Sequence, residues 1–247
     1  MPGTAHGKIV CIGWNYRSHA KELESALPEA PTVFLKPSSC LIGDGDDIVI
    51  PEGVTNVQHE VELAVVIGKR AKSVPEDDAL SYVSHLAVFN DVSARDMQKA
   101  SRLRGDSWDL SKGIDTFGPM SEPIPFDGRD LQNLDLVLTV NGEVRQRGNT
   151  RDMMFPVPFL ISYVSRFMTL EEGDILITGT PEGVSEIRPG DVVRAEIAGV
   201  GTVINAVSAP FSSNRRYNCR LWYFINARSQ FLMIPQYFII FLNIPYI

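Results

Sequence analysis

The chain has 247 residues, 44% of them hydrophobic and 21% charged, with 23 Lys and Arg against 30 Asp and Glu, a net charge of -7. That is enough apolar sequence for a sizeable core, and the charge has the wrong sign for neutralising nucleic-acid phosphates, so no nucleic-acid partner is expected. Cys11, Cys40 and Cys219 are odd in number, widely spaced and form no CxxC pair, which excludes a disulfide framework or zinc knuckle and fits a reducing compartment.

In chain order, the first element is a short apolar run from Ile9 to Ile12, closed by Gly13 and followed by a helical pattern from Tyr16 to Leu23. The N-terminus has neither an apolar signal core nor an Arg-rich presequence, so the expected location is cytoplasmic. A segment ThrValPheLeuLysPro at 32–37 leads into a Gly- and Asp-rich loop at 43–47. Residues 59–68, HisGluValGluLeuAlaValValIleGly, predict a strand, and Leu86 to Asn90 predict a second buried strand that ends at Asp91. Residues 97–108 are polar and contain Gly105, the pattern of a mobile lid. Asn141-Gly142 between β-prone runs predicts a tight hairpin with a type I′ turn over 134–147. Phe155, Phe159, Leu160, Tyr163, Val164 and Phe167 share one face of a predicted helix over 155–168. Three further strands are predicted at Asp174–Thr178, Asp191–Ile197 and Gly201–Val207.

The class implied is α+β and β-rich, with few helices. Three parts are expected: an N-terminal strand–helix segment over 1–45, a catalytic domain over 46–208 and an atypical tail over 209–247. The tail has no Asp or Glu, is rich in aromatic residues and carries Arg215, Arg216, Arg220 and Arg228. Its uncharged stretch from Ser229 to Ile247 is interrupted by Pro235 and Pro245, so a membrane span is not expected.

Chemistry is suggested first by Glu60 and Glu62. Two apart in a strand, they leave the same face of a segment whose remaining positions are apolar on both sides. A solvated edge-strand stripe is the ordinary origin of a Glu-x-Glu pair, but here two carboxylates would be driven into a buried strand, where they require a positive compensator. Asp91, at the end of the next strand, completes three hard oxygen ligands suited to Mg²⁺, Mn²⁺ or Ca²⁺ and less to Zn²⁺. His19 and Glu22 are three apart on a helix, so the carboxylate could orient the imidazole as a general base; surface neighbours with no role have the same spacing. ThrGlyThrPro at 178–181 offers turn N–H groups and hydroxyls, equally the pattern of a structural corner. The chain has no GxSxG, GxxxxGK[ST], GxGxxG or HExxH, which removes serine hydrolase, P-loop NTPase, dinucleotide dehydrogenase and zincin readings.

Taken together, GlyTrpAsnTyrArgSerHisAlaLysGlu at 13–22, PheLeuLysPro at 34–37, the 59–68 segment, AsnAspValSerAlaArgAspMetGln at 90–98, SerLysGly at 111–113, ValAsnGlyGlu at 140–143 and the run from Leu170 to Val184 resemble the fumarylacetoacetate hydrolase family, in particular its short acylpyruvase and oxaloacetate decarboxylase members. The resemblance implies a mixed β-sheet roll, a homodimer, and Mg²⁺ or Mn²⁺ held by Glu60, Glu62 and Asp91, the three residues chosen from strand alternation. It also implies that His19 with Glu22 activates water, that Gln98 and Lys112 stabilise developing negative charge, and that Arg95 and Thr180 touch a small 2-oxo acid. The expected reaction is hydrolysis of a carbon–carbon bond in an acylpyruvate or β-dicarbonyl compound. Oxaloacetate decarboxylation and hydroxy-dienedioate isomerisation are alternatives on the same site, and a non-catalytic metal-binding or scaffold protein is the alternative of another class. The resemblance ends near Val207.

Overall fold

A computed structural model describes residues 7–22 and 27–210, which form one compact unit; the 211–247 tail lies outside the described residues. Eleven strands carry the architecture: β1 (Ile9–Gly13), β2 (Thr32–Lys36), β3 (Ile48–Val49), β4 (Val61–Ile67), β5 (Val83–Asn90), β6 (Ile124–Pro125), β7 (Asp135–Val140), β8 (Glu143–Asn149), β9 (Ile175–Ile177), β10 (Val192–Ile197) and β11 (Gly201–Ser208). The helices are α1 (Arg17–Glu22), α2 (Arg95–Arg104), α3 (Asp109–Lys112) and α4 (Val157–Phe167). The expected β-rich α+β class is what forms. None of the described helices is long and apolar enough to cross a membrane.

A six-stranded mixed sheet runs β6-β5-β4-β9-β1-β2, and a five-stranded sheet runs β8-β7-β10-β11-β3. The N-terminal strand–helix segment supplies β1 and β2 to the first sheet, with β1 parallel to β9 and antiparallel to β2. In β4 the odd residues Val61, Leu63, Val65 and Ile67 enter the larger core, together with Leu136, Leu138, Val193 and Val203 of the second sheet. The even face, marked by Ala64, joins Ile9, Cys11, Phe89 and Ile177 in a smaller core. This alternation is what period-two side-chain geometry dictates for a strand covered on both faces. Full burial of a Leu, Ile or Val side chain contributes about 1.5–3 kcal/mol, so both faces resist a change of register.

The hairpin between β7 and β8 turns on Asn141 (φ 52°) and Gly142 (φ 82°), the two positive-φ positions of a type I′ turn. The predicted helix over 16–23 is described only from Arg17 to Glu22, because 23–26 lie outside the described residues. The predicted strand over 59–68 begins at Val61, so Glu60 sits just before it. The segment expected to act as a lid is mostly helix α2, closed by Gly105 in the left-handed region, where a Cβ would be strained.

Candidate active site

Strand direction decides where the site lies. Because β4 runs antiparallel to both β5 and β9, and β1 runs parallel to β9, the start of β4 meets the ends of β5, β9 and β1. Glu60 and Glu62, Asp91, Gly179 and Thr180, and Gly13 and Trp14 therefore converge at one edge. Backbone bonds hold the junction: Asp91 N–H donates to Glu60 O at 2.8 Å, and Thr178 N–H donates to Leu63 O at 3.2 Å. The loop after β1 is fixed by buried Asn15. Its side-chain NH₂ donates to Thr178 O (2.8 Å) and Phe155 O (3.0 Å), and its carbonyl accepts from Phe155 N–H (2.8 Å).

Glu60, Glu62 and Asp91 are buried, and one carboxylate oxygen from each lies within 4.8 Å of the others. Three cationic side chains surround them. Lys112 Nζ donates to Glu60 Oε2 (2.8 Å) and Asp91 Oδ2 (2.6 Å); Arg95 donates to Glu60 Oε1 (2.5 Å); Lys36 Nζ donates to Asp91 Oδ1 (2.7 Å). Burial alone would raise the Glu60 carboxyl, but Lys112 and Arg95 outweigh it and hold the group well below the usual carboxylate range. Lys112 is lowered by burial and raised more strongly by Asp91 and Glu60, for a net upward shift. Glu62 has no ion pair among the described residues. It accepts the Gly179 N–H, and burial, Asp91 and Glu60 push its pKa up.

These observations test the fit to a divalent ion. The donor set is oxygen only, is gathered within coordination range, and includes one carboxylate that the protein's own cations leave uncompensated. That is the chemistry of a hard-cation site for Mg²⁺ or Mn²⁺.

His19 lies in α1 and is nearly buried; its Nδ1 is 3.1 Å from Glu22 Oε2, and Glu22 Oε1 accepts the Gly183 N–H at 2.9 Å. Burial raises the Glu22 carboxyl, but the bonds from His19 and Gly183 reverse this and lower it, so it stays an acceptor. Arg95 is shared: beyond Glu60 it donates to Gln58 Oε1 (2.8 Å) and to Gln98 Oε1 (2.6 Å), which leaves the amide NH₂ of Gln98 as its donor end. The Thr180 hydroxyl donates to Val61 O (2.9 Å) and accepts from Gln146 Nε2 (2.8 Å). Of the nine residues singled out in the sequence, eight line one pocket, and the ninth, Glu22, stands behind His19.

Other residues were not singled out as site components in the sequence, although Lys36 lies within the PheLeuLysPro stretch at 34–37. Lys36 is one, a buried cation donating also to Phe117 O (2.8 Å) and Val92 O (3.3 Å). Gln146 is another, buried within the largely exposed β8, where the β7–β8 register shifts between Leu138 and Thr139. Its carbonyl accepts from Val61 N–H (3.0 Å) and faces His59 Nδ1 (2.9 Å), and its NH₂ donates to Thr180 and Pro181 O (2.8 Å). A carbonyl only accepts, so His59 donates through Nδ1 and takes the Ser185 hydroxyl at Nε2 (2.9 Å). Burial pushes its pKa down to about 4 and keeps it neutral. Trp14, Phe34 and Trp108 form the aromatic side of the pocket. Trp14 takes φ 53° there, a conformation a bulky residue adopts only under constraint from its surroundings.

Acid–base and cationic groups drawn from three helices, two strands and the end of a third into so small a space make this an enzyme's active site rather than a scaffold surface. The chain belongs to the fumarylacetoacetate hydrolase family: residues 8–208 match the model described as fumarylacetoacetate (FAA) hydrolase C-terminal. It is 49% identical over 197 residues to the oxaloacetate tautomerase FAHD1, mitochondrial, of Arabidopsis thaliana, covering 79% of this chain and 88% of that one. It is 44% identical over 197 residues to the oxaloacetate decarboxylase, mitochondrial, of Dictyostelium discoideum, covering 79% of this chain and 90% of the relative. Among solved structures, fumarylpyruvate hydrolase from Pseudomonas aeruginosa in complex with Mn²⁺ and pyruvate matches with a TM-score of 0.80 at 30% identity, over 85% of this chain and 94% of that one.

Proposed function

We infer that the chain is a metal-dependent enzyme of small 2-oxo acids whose common step is formation of an enol, with keto–enol interconversion of oxaloacetate as its first reaction. The carrying observation is the buried cluster of Glu60, Glu62 and Asp91, flanked by Lys112 and by His19 with its carboxylate partner. The Arabidopsis and Dictyostelium relatives, both named for reactions of oxaloacetate, support this order over the hydrolysis-first expectation from sequence. A cation held by the three carboxylates would supply Lewis-acid polarisation of the 2-oxo and carboxylate oxygens.

The chain's own residues do the rest. His19, oriented by Glu22, removes the proton from the carbon beside the carbonyl and delivers it to the carbonyl oxygen to give the enol; the reverse transfers restore the keto acid. Lys112 and the Gln98 NH₂ face the oxygen on which negative charge develops; loss of one such donor typically costs about 10²–10³ in kcat. Arg95 balances the substrate's second carboxylate.

A second reading is hydrolysis of an acylpyruvate, favoured by the His19–Glu22 pair and the fumarylpyruvate hydrolase likeness. There His19 takes a proton from water, the oxygen adds to the distal carbonyl, and the C–C bond breaks to give a carboxylic acid and, after protonation at carbon, pyruvate. Homodimerisation and a cytoplasmic location belong to the same proposal, read by sedimentation and by fractionation.

The deciding experiment supplies chelator-stripped protein with Mn²⁺ or Mg²⁺ and follows enol absorbance of oxaloacetate, pyruvate release and acylpyruvate loss. Metal-restored enol conversion supports the first reading. Acylpyruvate cleavage without it supports the second, and activity indifferent to chelator contradicts both.

A further inference from the structure

The active-site pocket and a larger outer groove of about 690 Å³ share two lining residues, Phe34 and Trp108. Trp108 stands edge-on to Trp14, with ring centroids 4.9 Å apart and planes at 89°, and edge-on to Phe34 at 5.4 Å and 62°. These are preferred edge-to-face geometries, so the three rings hold one another in place. Trp108 also packs on Gly13 so closely that a Cβ there would come within 3.0 Å of Cζ3. The small residue at 13 is what lets the indole sit down against β1. Trp14 is in turn covered by Arg102, 5.5 Å from its ring.

The inner pocket is the smaller of the two, and its lining carries the carboxylates and cations of the site, which suits a short, charged oxo acid. Beyond the indole, the groove is walled by Thr32, Val33, Leu35, Ser107 and the two carboxylates Asp106 and Asp109, and none of its lining residues is Lys or Arg. It therefore suits an uncharged chain better than a carboxylate.

We propose that Trp108, braced by Trp14, Phe34 and Gly13, is the specificity-determining partition that restricts this enzyme to short 2-oxo acids, and that its removal joins the site to a groove that takes a neutral alkyl or acyl chain. The proposal rests on the 2-oxo acid reading above and adds the substrate's size limit and the residue that sets it. The partition supplies none of the carboxylates and no acid–base group, so it governs how long a substrate fits, while the chemistry stays with the charged groups of the same pocket.

The test uses the full chain loaded with Mn²⁺ and a series of straight-chain 2-oxo monoacids of four to eight carbons, measured calorimetrically for binding and as competitors of oxaloacetate turnover. The wild type is expected to lose affinity steeply as the chain lengthens. Trp108→Ala should raise the affinity of the long acids relative to the short by roughly tenfold or more, since a single methylene in an apolar pocket is worth about 10–200-fold. Diacids of the same length should gain little. Trp108→Phe and Gly13→Ala, which keep a ring at the partition, should shift the preference the same way by less, and they carry the test if Trp108→Ala does not fold. An unchanged chain-length profile in variants that still bind the four-carbon acid overturns the partition alone. Failure of the wild type to bind any 2-oxo acid overturns the functional reading and the partition with it.

Discussion

Replacing Lys36 with Met probes a residue whose importance is visible only in three dimensions. The Lys36 ammonium is fully buried, bonded to Asp91 Oδ1 at 2.7 Å and to the Phe117 and Val92 carbonyls. Methionine keeps the length and the apolar stem but leaves Asp91 one cation short and two carbonyls without that donor. Breaking a buried ion pair by removing one partner costs about 3–5 kcal/mol. Lys112 still donates to the other Asp91 oxygen at 2.6 Å, which puts the expected loss near the lower end, about 3 kcal/mol. For a domain of this size, 1 kcal/mol moves the melting temperature by about 2–4 °C, so Lys36→Met should melt about 6–12 °C lower when stripped of metal. Thermal unfolding followed by circular dichroism reads this directly. Mn²⁺ should then raise the variant's melting temperature more than the wild type's, because the ion supplies the charge that Asp91 has lost. A variant melting within about 2 °C of the wild type, or one stabilised less by Mn²⁺, would refute the reasoning.

Other perturbations read separate parts of the account. His19→Ala should lower acylpyruvate hydrolysis by about 10²–10⁴ while leaving much of any oxaloacetate decarboxylation, which needs no water attack; equal loss of both, measured as pyruvate release, contradicts the assigned role. Burial and its acidic neighbours raise the Glu62 pKa, so Mn²⁺ competes with a proton there: calorimetric affinity should rise with pH from the ordinary carboxylate value of about 4.3 upward, and a flat profile counts against Glu62 as a ligand. For the same reason metal-free stability should fall as pH rises through that window, since there the folded state binds more protons than the unfolded chain. Gln146→Leu strands Val61 N–H, His59 and Pro181 O at about 1–3 kcal/mol each, so it should melt far below the wild type; a melting temperature unchanged in denaturation would show that the buried network is dispensable.

Much of this site could be read from the chain because its ligands sit on regular elements. Strand alternation put Glu60 and Glu62 on one face, and that held although Glu60 precedes the strand, since the extended backbone continues through it. Asn141-Gly142 fixed a hairpin through local φ preferences alone. Lys36 was invisible because a lysine closing an edge strand reads as solvated; only the proximity of Asp91, 55 residues away in sequence, turns it inward. Gln146 was hidden among exposed neighbours by a register shift that no local pattern announces. The Trp14, Phe34 and Trp108 wall draws one ring from each of three separate segments, so its existence depends on how β1 and β2 pair and on how the turn before α3 packs against them. The helical content of the 97–108 segment was not legible beneath its polarity: α2 carries charge and buries none of its residues.

The most direct test of the central claim is a Mn²⁺ titration of the chelator-stripped full chain, followed by calorimetry and by loss of the free-ion electron paramagnetic resonance signal, in the wild type and in Glu62→Ala and Asp91→Ala. A single tight site per chain, lost in both variants, is the predicted result. Mn²⁺ binding that survives both substitutions undiminished, or a wild type that binds none, would contradict a metal centre built on Glu60, Glu62 and Asp91.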